Sequence, residues 1–238
     1  MKTKQGFTLT EVIIATGILS AFICGLLSLF STGNKMGNQA MWLQTTTNQL
    51  KNTARQINTS IRRSSYPSCM TFPQTIIESD DDSFMVHYRD QSLCATQCAE
   101  LSSNGLGTKF MTVTESTPAK TGYSSSENHD ANLLFHIFYL SKNGDLNYVR
   151  HKKTVPAANI VPGYSLAIPE DADAVEYKTN LAKNVESVFC TKTATGTSDI
   201  NTSLQVTITC TMPHSNTSRS ETTVGVPNVG LKAHNSGW

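Results

Sequence analysis

Gly6 to Phe30 reads GFTLTEVIIATGILSAFICGLLSLF, and the rest of the chain is read outward from it. Lys2 and Lys4 precede the stretch, and no charged side chain occurs from Val12 through Phe30. A run of that length crosses a ~30 Å hydrocarbon core as a helix. Basic residues on its N-terminal side hold that end in the cytoplasm. Gly17 and Gly25 lower helix propensity in water but are common in membrane helices. Glu11 is the anomaly, because a charged side chain costs roughly 2.5–3.5 kcal/mol near a bilayer centre and less toward the interface. Three simple readings leave residues unexplained. A secretory signal peptide would not carry Glu11 in its apolar region and would end in a small-x-small site. A lipoprotein signal ending at Cys24 would need small residues where Ala21-Phe22-Ile23 stand. A plain membrane anchor gives no role to Gly6-Phe7 or Glu11.

Gly6-Phe7-Thr8-Leu9-Thr10-Glu11 resembles the class III signal of type IV pilins and of the pseudopilins of type II secretion. The resemblance covers about the first 30 residues; Thr10 departs from it, since many relatives carry a large aliphatic residue there. It implies that residues 1–6 are a leader, that a prepilin peptidase cuts between Gly6 and Phe7, and that Phe7 becomes N-methylated. It implies that residues 7–30 form a transmembrane and assembly helix that meets other pilins or pseudopilins and an inner-membrane assembly platform. Glu11 would then pair with the amino terminus of a neighbouring subunit, since a carboxylate in lipid needs a cation. The implied location is the bacterial inner membrane, single-pass, with the head outside the cytoplasm and later on a filament or its tip.

Beyond the apolar run, Ser31-Thr32-Gly33-Asn34 marks the exit from the bilayer. Met36, Ala40, Leu43, Thr47, Leu50, Ala54, Ile57 and Ile61 then recur at alternating spacings of four and three. That pattern buries one face of an amphipathic helix. As a coiled-coil seam it is thin, so packing against the protein's own sheet is expected. Pro67 stops the helix by lacking a donor and restricting Tyr66. A helix from Phe7 to about Ser64 would be ~87 Å long at 1.5 Å per residue. Arg55, Arg62 and Arg63 near its end fit capping of the last carbonyls better than a phosphate site.

Residues 66–238 read as a β-rich head. Ser83 to Tyr88 alternates around Phe84, Val86 and Tyr88. Leu133–Leu140, the turn Asn143-Gly144 and Leu146–Arg150 form a hairpin pattern. Val185–Cys190 and Leu204–Thr211 are two further strands, and Val224–Val229 is a candidate edge strand. Cys94 through Gly105-Leu106-Gly107, and Glu115 to Asp130, read as long loops, where recognition would sit. The fold class is α+β: a long N-terminal helix, membrane half 7–30 and amphipathic half 31–65, packed on an antiparallel sheet head, a pilin-like arrangement.

The chain has six cysteines. Cys24 lies in the apolar run as a small packing residue. Cys69, Cys94, Cys98, Cys190 and Cys210 would meet an oxidising compartment, and five cannot all pair within one chain. Antiparallel pairing of the two late strands favours a Cys190–Cys210 bridge, leaving Cys69 to pair with Cys94 or Cys98. A zinc site at Cys94-Ala-Thr-Gln-Cys98 lacks a second ligand pair, so a local or loop-tying disulfide is the better reading.

Formal net charge is +1 and charged residues are 16% of the chain, so the head has no electrostatic footprint for nucleic acid. No P-loop, HExxH or Gly-x-Ser-x-Gly motif occurs. Asp80-Asp81-Asp82 lacks the ligand spacing of a calcium loop, Glu170–Glu176 reads as a surface loop, and His136 sits in an apolar strand with no visible partner. No catalysis, metal or cofactor is expected. Leu181 to Cys190, read as one strand, resembles the C-terminal part of J-type pseudopilins, their type IV pilus counterparts and a competence pseudopilin. This implies a minor subunit that primes or caps assembly. The alternatives are a pilus-borne adhesin or DNA-uptake pilin binding through its long loops, or a membrane-tethered exported enzyme or sensor.

Overall fold

The computed structural model describes residues 8–65, 86–98, 105–118, 130–156, 175–194, 202–227 and 231–234. Helix α1 spans Leu9–Arg63 and runs unbroken past Gly33 and Gly37. Chain contacts separate Met1–Thr45 from Thr46–Trp238. In the first unit, α1 is long and apolar enough to cross a membrane. Ile13, Ile14, Ile18, Leu19, Phe22 and Leu29 are exposed. Three hydroxyls along this helix bond to its own carbonyls. Thr16 donates to Val12 O at 2.9 Å, Ser20 to Thr16 O at 2.8 Å, and Thr32 to Ser28 O at 2.9 Å. An apolar solvent demands such internal pairing.

The second unit holds the rest of α1 and ten described strands. These are β1 (Val86–Arg89), β2 (Leu93–Cys94), β3 (Thr108–Pro118), β4 (Ala131–Leu140), β5 (Leu146–Val155), β6 (Val175–Ala182), β7 (Val185–Ala194), β8 (Thr202–Thr211), β9 (Ser218–Gly225) and β10 (Leu231–His234). A 3-10 turn, Ala95–Gln97, follows β2. One sheet has the order β10-β1-β3-β4-β5-β6 and the other β2-β7-β8-β9. Pairing is antiparallel except between β1 and β10. The architecture is therefore α+β, a long N-terminal helix on an antiparallel sheet head, with the head divided into two sheets.

The helix buries Thr46, Leu50, Thr53, Ala54, Ile57, Ser60 and Ile61. Leu50, Ile57 and Ile61 have no exposed surface, and each such side chain contributes about 1.5–3 kcal/mol. The apolar stripe expected from Met36 onward is buried only from its second half. Met36, Ala40 and Leu43 are exposed, and the buried face is widened by Thr46, Thr53 and Ser60 at seven-residue intervals. These small side chains keep the helix close to its sheets. Thr53 donates to Gln49 O at 2.8 Å and to Leu181 O at 3.2 Å.

The Asn143-Gly144 hairpin forms as expected. Gly144 has φ +78°, Gly144 N donates to Ser141 O at 3.0 Å, and Asp145 N donates to Ser141 Oγ at 3.0 Å. Both faces of β4 are buried, with His136 and Phe138 on one side and Phe135 and Ile137 on the other. That accounts for its near-continuous apolar run.

Several expectations are corrected. Thr108–Pro118 is a strand paired along its length with β4, so the expected Glu115–Asp130 loop loses its first residues to β3. Residues 119–129 lie outside the described residues, as do Phe84, Asp80-Asp81-Asp82 and 170–174. Val175 and Glu176, expected in a surface loop, begin β6. The single strand expected over Leu181–Cys190 is broken at Lys183-Asn184. Ala182 ends β6 in one sheet, Asn184 takes φ +57°, and Val185 starts β7 in the other. Asparagine tolerates that left-handed conformation better than most residues. The β4–β5 turn braces the crossing, since Val185 N donates to Gly144 O at 2.9 Å. Of the candidate edge strand Val224–Val229, residues 228 and 229 lie outside the described residues, and Val224 and Gly225 end the polar edge strand β9, Ser218–Gly225. It is tied to β8 by hydroxyl pairs Thr207–Thr222 and Thr209–Ser220, each 3.0 Å.

A Cβ added at Gly225 would lie 2.8 Å from Ile61 Cγ2 and 3.0 Å from its Cβ. Gly225→Ala should therefore lower stability by about 1–3 kcal/mol through overpacking. Thermal unfolding of the detergent-solubilised chain, followed by circular dichroism, measures this. Ile61→Ala should absorb part of the penalty, so that the double variant loses less than the sum of the singles.

Candidate functional site

Two groups of residues carry chemistry: the start of α1 and the polar residues buried in the head. Gly6 and Phe7 lie outside the described residues. Glu11 is the third residue of α1, and Thr8 is its cap. Thr8 N donates to Glu11 Oε2 at 2.9 Å, Thr8 Oγ1 donates to the same oxygen at 2.8 Å, and Glu11 N donates to Thr8 Oγ1 at 3.4 Å. This reciprocal arrangement is a capping box, which satisfies amide groups the first helical turn leaves without partners. The Thr-x-x-Glu spacing is legible in the sequence, and the cap gives Glu11 a task besides the subunit pairing that the resemblance implies.

In the head, His136 has two partners that its own sequence neighbourhood does not reveal. Its Nδ1 lies 2.7 Å from Tyr148 Oη, and its Nε2 lies 3.1 Å from Glu115 Oε2. The three residues come from neighbouring strands β4, β5 and β3. Register places Val113 opposite His136 and His136 opposite Arg150. Burial pushes the proton affinity of His136 down. Glu115 acts the other way, while the positive charges of Arg150 and Arg63 add to the effect of burial. Burial likewise raises the Tyr148 phenol. A glutamate–histidine–tyrosine relay of this kind can hold or move a proton, but its side chains are occupied with each other inside the sheet. On the adjoining strand Arg150 Nε bonds Glu176 Oε2 at 2.9 Å and lies over the Tyr177 ring at 5.9 Å.

The expected Cys190–Cys210 disulfide is not formed: both are free, buried thiols. Register decides this. Cys190 lies opposite Val206, and Cys210 lies opposite Val185. Four residues along β8 separate Val206 from Cys210, about 13 Å, whereas a bridge needs Cα atoms within about 7 Å. Burial pushes the Cys190 thiol up to about 12, with Asp90 adding to it, and pushes Cys210 up to about 11. Cys94 and Cys98 are also free thiols. Cys94 is half-buried, Cys98 is buried, and Cys98 Sγ donates to Cys94 O at 3.4 Å. The local Cys94–Cys98 disulfide is therefore absent, because the turn points the Cys98 thiol at a carbonyl. Cys69 lies outside the described residues. Cys24 is exposed on α1. Among the described residues no group of three or more His, Cys, Asp or Glu side chains converges as a metal site would.

The buried histidine has a consequence for acid stability. Its folded-state pKa lies below the 6.5 of a free imidazole, so the unfolded chain binds a proton first and stability falls as pH drops below about 6.5. His136→Gln, which can still bond Glu115 and Tyr148, should lose less of its thermal midpoint between pH ~7 and pH ~5 than the parent. An equal loss in both would remove His136 as the cause. No protein-family model, no curated protein and no solved structure matches this chain.

Proposed function

We propose that this chain is a minor pilin or minor pseudopilin, a structural subunit that helps prime or cap a type IV pilus or a type II secretion pseudopilus. One observation carries the reading. The hexad Gly6-Phe7-Thr8-Leu9-Thr10-Glu11 runs into the first turn of a helix that is free of charge from Val12 to Phe30, and the same helix later supplies the core face of a β-rich unit. Lys2 and Lys4 keep the leader in the cytoplasm and send the head across the membrane. A prepilin peptidase then cuts after Gly6, Phe7 is N-methylated, and the subunit acts by assembling with other pilins rather than by catalysis. The head thiols suit an oxidising compartment, because burial keeps Cys98, Cys190 and Cys210 protonated and unreactive.

Glu11 serves two ends in this reading. Oε2 takes both bonds from Thr8, while Oε1 is left for the amine of a neighbouring subunit. In lipid that pairing offsets the cost of the carboxylate and sets the axial register between subunits.

Mass spectrometry of the N-terminal peptide, from protein isolated from its native envelope, tests the reading. N-methyl-Phe7 is expected; an intact Met1, or a cut between Ala21 and Ser31, would overturn it. A variant pair then separates the two tasks of Glu11. Glutamine is accepted in a capping box but carries no charge. Glu11→Gln and Glu11→Val should both be cleaved, and both should be depleted from the filament fraction. Normal incorporation of Glu11→Gln beside failure of Glu11→Val would reduce Glu11 to a helix cap.

A further inference from the structure

We propose that the cleft between α1 and the free edge of β9 receives an extended acidic segment of another protein, which adds to the four-stranded sheet as a fifth strand. Among the described residues the sheet ends at β9, and none of them forms a strand on the far side of Ser218–Gly225. A free edge is a template for a further strand, held by main-chain hydrogen bonds. Beside this edge lies an open cleft of about 420 Å³, with Lys51, Arg55, Asn58 and Thr59 on the helix wall and Glu221 and Thr223 on the strand wall. Its far end is closed. Asn58 Nδ2 donates to Val224 O at 2.7 Å and to Thr223 Oγ1 at 3.2 Å, and Ile61 fills the space above Gly225. Strand addition therefore runs along Ser218 to Thr223.

Charge and spacing identify the occupant. Lys51 and Arg55 are exposed and make no ion pair among the described residues, and Glu221 is the one carboxylate among the cleft's walls. One helical turn, about 6 Å along the axis, separates the two cations. Alternate residues of a strand point the same way and lie about 6.8 Å apart. Two carboxylates at alternate positions of an added strand, facing α1, thus meet Lys51 and Arg55 together. The opposite face of such a strand continues the hydroxyl rows of Thr207–Thr222 and Thr209–Ser220. The pattern sought is acid alternating with threonine or valine. Nucleic acid would supply the negative charge but no amide and carbonyl ladder to pair with β9. The proposal rests on the residues of Thr46–Trp238 and stands apart from the filament reading.

The test uses the full chain in detergent micelles and a fluorescein-labelled peptide with glutamate at alternate positions and threonine or valine between, read by fluorescence anisotropy. Saturable binding is expected. It should weaken about tenfold in the Lys51→Ala/Arg55→Ala variant, fall as salt is raised, and vanish when the central threonine of the peptide is replaced by proline, which cannot donate to the edge. Both substituted residues are exposed, so the variant keeps its fold, which circular dichroism checks. The proposal is overturned by an absence of binding, by unchanged affinity in the double variant, or by equal binding of the proline peptide. Tighter binding of a single-stranded oligonucleotide than of the acidic peptide overturns it too, and identifies the cleft as a simple cationic patch.

Discussion

Ile61 occupies the space that any side chain at residue 225 would need, and the helix is pinned at that point to the last residue of β9. Thr53 is pinned in the same way to the carbonyl of Leu181, one residue before the end of β6. One helix face thus touches the final residues of a strand in each sheet. Just after β6 the chain itself crosses from one sheet to the other, at Lys183-Asn184, and enters β7. The small residues Thr46, Thr53, Ala54 and Ser60 bring the helix axis close, while Leu50, Ile57 and Ile61 supply the apolar area. A bulkier face would bury more surface but hold the helix too far away for either contact. Close approach matters here as much as hydrophobic area.

The parts of the fold legible in the sequence are those whose signal is local. Helix α1 carries its periodicity over many turns, and the Asn143-Gly144 turn needs no distant partner to take a positive φ. The two strands around that turn follow from it. Illegible were β3 and β9, and both are rich in threonine and serine. In β3, Thr112 and Thr114 are buried only because the sheet is covered on both faces, a fact that belongs to tertiary structure. In β9, alternation is between two kinds of polar residue, so no apolar period marks it. The break at Lys183-Asn184 was hidden for the opposite reason: strand-forming residues flank it on both sides, and Asn184 alone signals the turn.

Chemistry that depends on strand register was equally hidden. Cys190 and Cys210 lie on one face of the second sheet, and side-chain parity within each strand is local. Their separation was not legible, because no two-residue turn between β7 and β8 fixes which residues oppose each other. The same holds for His136. Its partners Glu115 and Tyr148 lie on strands whose identity or alignment had first to be known. Glu11 differs: Thr8 stands three residues before it, and the cap was readable without any tertiary knowledge.

The free thiols are compatible with the proposed extracytoplasmic head once size and burial are considered together. Disulfides are most needed where a secreted domain is too small to build a core. This head buries both faces of β4 and a full face of α1, and its described cysteines are free thiols. Oxidation in turn requires a thiolate and an approaching partner sulfur. Cys190 and Cys210 have neither, being buried as neutral thiols and held four residues out of register. Their role is that of small, largely apolar side chains on the inner face of the second sheet, and the Cys210 thiol also donates to Lys183 O at 3.6 Å.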